Sequence, residues 1–238
     1  MTLRFLGTRG YTEITTRGHR RHSAALVLYG GRRVMVDCGE DWVGRFARLR
    51  PHAVVLTHAH PDHAWGLREG APCPVFATQA TWDRLPYPVD DRRRIVPRKP
   101  FRIGGITFEA FPVEHSTRAP AVGYRITAGG VALFYVPDLV YIYERAAALA
   151  GVRLYVGDGA TVTRPMIRRR GRVLIGHAAI RTQLHWCDVE RVPRAVFTHC
   201  GTEILSADGR RVGARVRALG RERGVAAAIA RDGLELTV

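Results

Sequence analysis

The sequence predicts a mixed α and β fold. Eleven apolar runs of only three to six residues are spread along the chain, a length that suits strands better than buried helices. Paired glycines at Gly30-Gly31, Gly104-Gly105 and Gly129-Gly130 separate several of these runs and read as tight turns. Helix-like segments alternate with the strands, and the last is amphipathic, with Val212, Val216 and Leu219 spaced at three or four.

In chain order the strand-like runs are 3–6, 24–29, 33–36, 53–56, 75–77, 106–111, 122–127, 131–136, 152–156, 173–175 and 195–198. Helix-like segments lie at 42–49, 62–68, 79–85, 140–150, 180–186 and 210–223, and Arg168-Arg169-Arg170 before Gly171 is expected as an exposed turn. A chain of 238 residues with 46% hydrophobic content is long enough for one large domain, 1–238, with a sizeable core. No apolar run reaches the roughly 18 residues of a membrane span. The amino terminus reads as a first strand and not as a signal peptide, so a cytoplasmic location is expected. Cys38, Cys73, Cys187 and Cys200 are scattered and suggest neither a disulfide framework nor a zinc ribbon. Cys200 adjoins His199 and is either a residue of the site or a small buried filler.

One segment carries chemistry directly. Thr57-His58-Ala59-His60-Pro61-Asp62-His63 packs three imidazoles and a carboxylate behind the apolar run 53–56. Such donors suit zinc, manganese or iron, and a loop at a sheet edge is where function usually sits. His58 and His60 can address one metal, and Asp62 and His63 a second on the other side of the turn. Three more candidates follow apolar runs in the same way: His115, Asp138 and His199. Taken singly, each is as well read as a hydrogen-bonded histidine or a helix N-cap. Asp37 also ends an apolar run, and His177 stands before a helix-like stretch.

His58, His60, Asp62 and His63 match every position of the His-X-His-X-Asp-His signature of the metallo-β-lactamase superfamily, which this chain resembles. The resemblance implies an α+β fold, a four-layer αββα sandwich with ligands from both halves at one sheet edge. It implies two divalent metal ions, zinc first, with manganese and iron as alternatives. His58, His60 and His115 would bind one, Asp62, His63 and His199 the other, and Asp138 would bridge them. Asp37 would support the histidine turn through hydrogen bonds; a plain turn role is the alternative. Leu6-Gly7-Thr8, Glu114-His115-Ser116, Gly176-His177 and Phe197-Thr198-His199 recur in the branch holding the tRNA 3′-processing ribonuclease and the phosphoribosyl cyclic phosphodiesterase. The chain departs from both: it has no long inserted arm, and residues 10–30 contain no cysteine for an extra structural zinc site.

The implied activity is phosphodiester hydrolysis on a cyclic phosphate, nucleotide or RNA. A hydroxide bridging the two metals attacks phosphorus, with Asp62 orienting it and His177 assisting the leaving oxygen. The same nucleophile serves lactones and thioesters, so a lactonase or thioesterase is the alternative; a non-hydrolytic metal or redox protein is a third. Thirty-seven basic against 21 acidic residues give a net charge of +16, which favours a phosphate-containing partner and leaves nucleic acid open. Only one of the basic residues is lysine, Lys99, so a general arginine bias explains the charge equally well. Arg17, Arg20, Arg21 and His22 form a basic loop that reads either as a phosphate clamp or as a solvated surface, and Arg118 behind His115 is a further candidate. A homodimer is compatible with the resemblance.

Overall fold

A computed structural model describes residues 1–238. The first part of the chain forms β1 (Thr2–Gly7), β2 (Ala24–Tyr29), β3 (Arg32–Val36), β4 (Ala53–Val55), α1 (Pro61–Ala64), β5 (Val75–Thr78), α2 (Gln79–Trp82) and β6 (Arg92–Ile95). There follow β7 (Phe101–Ile103), β8 (Ile106–Glu114), β9 (Ala121–Ala128), β10 (Val131–Tyr135), β11 (Tyr141–Ile142), α3 (Arg145–Leu149) and β12 (Leu154–Asp158). The rest comprises β13 (Met166–Arg170), β14 (Val173–His177), α4 (Ile180–Val189), β15 (Arg194–Thr198), α5 (Thr202–Leu205), α6 (Gly209–Arg221), β16 (Ala226–Ile229) and β17 (Glu235–Thr237).

Two mixed sheets result. One has the order β17-β1-β2-β3-β4-β5-β6; the other runs β11-β8-β9-β10-β12-β15-β16, with β7 paired to β8. The three glycine pairs are two-residue hairpin turns: Tyr29 pairs with Arg32, Ile103 with Ile106 and Ala128 with Val131. Gly30, Gly31, Gly129 and Gly130 all take positive φ, the conformation that matches a hairpin turn to strand twist.

Three apolar clusters show that the architecture has four layers. Leu3, Phe5, Val27, Val34 and Val55 of the first sheet meet Phe108, Tyr124, Leu133, Tyr135 and Val156 of the second between the sheets. The alternate residues Leu26, Met35 and Val54 face outward beneath Trp42, Phe46, Leu67 and Trp82. Phe111, Phe134, Tyr155 and Phe197 lie under Ile180, Leu184 and Trp186 of α4 and Val216 of α6. Period-two alternation with both faces apolar is what a sheet covered on both sides requires. The αββα arrangement expected from the resemblance is therefore present.

Several local expectations need correction. The segment 42–49 is two short 3₁₀ turns, Glu40–Trp42 and Phe46–Leu49, separated at Gly44 with φ +65°. Within 140–150, Tyr141 and Ile142 instead pair with Glu114 and Val113 at the sheet edge, and helix begins only at Arg145. The run 152–156 pairs two residues later, because the amide of Val152 still closes the turn after α3 on Leu149. Arg168, Arg169 and Arg170 are strand residues: β13 and β14 form a separate two-stranded ribbon that turns at Gly171. β6, β7, β16, β17 and α5 are also present beyond the expected elements.

Candidate metal centre and active-site cleft

The centre forms where strands of both sheets end. After β4 the chain runs through Thr57-His58-Ala59-His60 into α1, which Pro61 starts at its first position, suited to a fixed φ and a missing N–H. The short helix carries Asp62 and His63, and the His63 ring packs against His58 with centroids 4.2 Å apart. The second sheet holds this loop in place: the amide of Val122 donates to Thr57 O (3.1 Å) and the Tyr124 hydroxyl to Leu56 O (2.8 Å). His115, Asp138 and His199 come from the connections after β8, β10 and β15.

The donors converge. His60 Nδ1 lies 3.1 Å from His58 Nε2 and 3.2 Å from His115 Nε2. Burial and the neighbouring imidazoles hold His58 and His60 below the ordinary histidine range, His60 at about 4, so both rings are neutral and offer lone pairs. Asp138 Oδ2 sits 3.6 Å from His58 Nε2 on one side, and 3.8 Å from both His63 Nε2 and His199 Nε2 on the other. Asp62 Oδ2 accepts from His199 Nε2 at 3.0 Å and lies 3.5 Å from His63 Nε2. Burial raises the Asp62 and Asp138 carboxyls, but the surrounding histidines outweigh it and hold both well below the carboxylate range.

Two donor sets result, His58/His60/His115/Asp138 and Asp62/His63/His199, each with its ligand atoms within 4.8 Å of one another. That spacing suits a cation bound at about 2.0–2.2 Å by nitrogen and carboxylate oxygen. His63 Nε2, His199 Nδ1 and Asp138 Oδ1 are buried without a hydrogen-bond partner. His115 Nδ1 and His177 Nδ1 both approach Asp138 Oδ1 at 2.9 Å, but off the hydrogen-bond direction. Buried orphan atoms are costly unless something binds them, and His63 Nε2 lies 3.5 Å from Asp62 Oδ2 and 3.8 Å from Asp138 Oδ2, an arrangement that fits divalent metal.

Asp37 stands behind the first loop. Its Oδ1 accepts from the Thr57 amide (2.8 Å) and hydroxyl (2.9 Å), while His63 Nδ1 meets its Oδ2 at 2.9 Å. His63 thereby turns Nε2 toward the centre. Asp37 and His199 are both non-glycine residues at positive φ, 59° and 54°, a conformation that tends to persist where surrounding structure enforces it.

Asp158, at the end of β12, belongs to the site although it was not among the sequence candidates. A carboxylate after an apolar run was the available signal, the same one that marked Asp138. Its Oδ2 meets His177 Nδ1 at 2.9 Å, and a third group of Asp138, Asp158, His177 and His199 results. Burial lowers the His177 imidazole, but Asp138 and Asp158 overcome this and hold it up at about 11; burial lowers His199 too, and Asp138 with Asp158 and Asp62 raises it to about 9. Gly176 makes the approach of His177 feasible. Its φ is +119°, and a β-carbon there would lie 1.9 Å from Met166 O.

A cleft of about 450 Å³ opens over the centre. His60, Asp62, His115, Asp138, His177 and His199 line its floor, and Tyr11, Met166 and Glu203 are among its walls. No arginine or lysine lines it. Arg17 borders two other cavities, one of them shared with Arg20 and Arg21, and Arg118 is exposed outside the cleft. His22 is buried against Asp41 and Arg9. The basic loop therefore does not reach the centre. Cys200 is fully buried and does not line the cleft.

A family model for a beta-lactamase superfamily domain matches residues 32–200, more than half of the chain. The chain belongs to the metallo-β-lactamase superfamily. Among curated proteins it is similar to ribonuclease Z of Methanopyrus kandleri, 27% identical over 286 positions that cover 100% of this chain and 98% of the relative. Among solved structures it resembles Zn²⁺-bound PqqB from Methylobacterium extorquens, with TM-score 0.73, 22% identity and full coverage of both chains. It also resembles a diphosphatase of the PhnP family, with TM-score 0.72, 20% identity and coverage of 100% and 97%. At these identities the solved structures establish the shared metallo-β-lactamase fold. This superfamily member is a metal-dependent hydrolase, and no helix of it is long and apolar enough to cross a membrane.

Proposed function

We propose that this hydrolase cleaves phosphodiesters with two divalent cations, zinc in the first instance. The observation that carries this reading is His177. It lines the cleft beside both donor sets, and its Nδ1 is engaged by Asp158. A ring fixed through one nitrogen and part-exposed at the cleft is suited to give a proton to a departing alkoxide. The relatives support the substrate class: one is a ribonuclease and one a diphosphatase.

His58, His60 and His115 would hold one cation and Asp62, His63 and His199 the other, with Asp138 available to both donor sets. The cations, when bound, supply Lewis acidity and an ionised water. Asp62, which lines the cleft, orients the nucleophile. Asp37 fixes His63, and Asp158 fixes His177 with its proton directed to the leaving oxygen. With no arginine or lysine in the cleft, neutralising the negative oxygens of the substrate would fall to the cations held by the centre. That same lack of side-chain cations favours, as a second reading, a neutral lactone or thioester.

The test is turnover of a small activated phosphodiester by protein loaded separately with zinc and with manganese, beside Asp62→Ala, with bound metal counted in each sample. Metal-dependent turnover that disappears in the variant supports the proposal. Filled metal sites with no turnover would sink it and shift attention to lactones and thioesters.

A further inference from the structure

The cleft contains no arginine or lysine, yet a strongly basic element rises from its rim. β13 and β14 pair only with each other. Every residue from Arg164 to Val173 is exposed, and among them Arg164, Arg168, Arg169, Arg170 and Arg172 have no carboxylate within ion-pair reach. The base of the ribbon is fixed. The Gly176 amide donates to His115 O (3.0 Å), His115 Nδ1 meets Gly176 O (3.1 Å), and the Leu174 amide donates to Glu114 Oε1 (2.5 Å).

Register decides which arginines face the cleft. Met166 pairs with His177, Arg168 with Ile175 and Arg170 with Val173. Alternate residues of a strand share a face, and directly opposed residues of an antiparallel pair share it too. Met166 and His177 both line the cleft, so Arg168 and Arg170 stand on that face farther out, while Arg169 and its partner Leu174 stand on the reverse. Across the cleft, Tyr11 is 74% exposed. An aromatic ring that can stack a base, opposite a row of unneutralised guanidiniums, is the combination that binds single-stranded nucleic acid.

We propose that the cleft face of this ribbon, through Arg168 and Arg170, holds backbone phosphates adjoining the one at the centre, and that Tyr11 stacks a neighbouring base. The substrate class is then a single-stranded oligonucleotide and not a small cyclic phosphate. This rests on the phosphodiesterase reading given above.

Binding is measured first, by fluorescence anisotropy of a labelled short oligoribonucleotide and its DNA counterpart on the full chain with chelator present, so that cleavage plays no part. The double variant Arg168→Ala/Arg170→Ala is expected to bind roughly tenfold or more weakly, with the slope of log K against log salt reduced by about 1.4 for two lost contacts. Arg169→Ala, with the same change of charge per residue on the other face, is expected within about twofold of the parent. Tyr11→Ala weakens binding and Tyr11→Phe restores it. With metal added, the double variant lowers the ratio of oligonucleotide to small-diester kcat/KM. Equal losses from Arg169→Ala, or none from the double variant, would overturn the proposal whatever the activity. The face-specific pattern without turnover of any phosphodiester would support the ribbon surface and place the failure in the hydrolytic reading.

Discussion

Between residues 57 and 63 four donor side chains leave a single loop, whereas beyond residue 110 His115, Asp138, Asp158, His177 and His199 leave five separate strand ends. The spacing of that short segment alone brings His58, His60, Asp62 and His63 into one neighbourhood, and Asp37 and the second sheet then fix it in place. The later residues share no local geometry. They meet because β8, β10, β12 and β15 carry their ends to one edge of the second sheet, and the separate ribbon strand β14 is bonded there to His115. The difference separates two kinds of site-building: a motif that a chain can carry as a unit, and a constellation that exists only when the sheet is assembled.

Asp138 is the sharpest place to break this comparison, because it touches both donor sets. Asp138→Ala is expected to abolish turnover and to lower bound metal more than His58→Ala or Asp62→Ala, each of which leaves one donor set complete; elemental analysis of loaded protein checks the ranking. If the loop variants empty both sites equally, the two donor sets do not hold separate cations.

His177→Ala is expected to reduce kcat by about 10²–10⁴-fold while metal content stays at the parent level. Loss of metal in that variant would make His177 a ligand and not a proton donor.

The supporting carboxylates of the two regions can be set side by side. Asp37→Asn and Asp158→Asn should each cost about 10–100-fold in metal affinity or activity, Asp37 acting through His63 and Asp158 through His177. Asp158→Asn added to His177→Ala should cost little more, whereas Asp37→Asn should add nearly its full effect, as separate partners require.

The smallest effect is on stability. His177 and His199 titrate at about 11 and about 9 in the folded chain, above the ordinary histidine value of 6.5. A raised folded pKa contributes stability that is fully present below the unfolded pKa and is lost as pH rises through the folded one. Chelator-treated protein should therefore lose thermal stability progressively from about pH 6.5 upward, the His199 share through about 9 and the His177 share through about 11. Metal-loaded protein should show a weaker decline, because bound cations replace protons. A flat profile in chelator would mean that the carboxylates around Asp138 do not hold these rings charged.

Much of this was legible in the residues. Gly30-Gly31 and Gly129-Gly130 specified hairpins because two consecutive positive-φ positions tolerate little else, and Thr57 to His63 declared its chemistry through spacing. The arginine-rich loop at 17–23 was ambiguous, since charge carries no direction: folding turned it away from the cleft. Asp158 showed the same signal as Asp138, a carboxylate behind an apolar strand, but nothing local distinguished it from a turn residue. The triplet Arg168-Arg169-Arg170 read as a turn because exposed arginines lack periodicity in hydropathy; the strand appears only through pairing with Val173–His177.

The sequence by itself determined the alternation of short strands and helices, the tight turns and the donor cluster at 57–63, because those depend on neighbours within a few positions. Only the tertiary structure decided that Asp158 engages His177, that the cleft excludes arginine, and that Arg168 and Arg170 face it while Arg169 does not. Those facts depend on register and on which strand ends share an edge. Such long-range contacts are selected by burial of three apolar interfaces, and no local pattern encodes them.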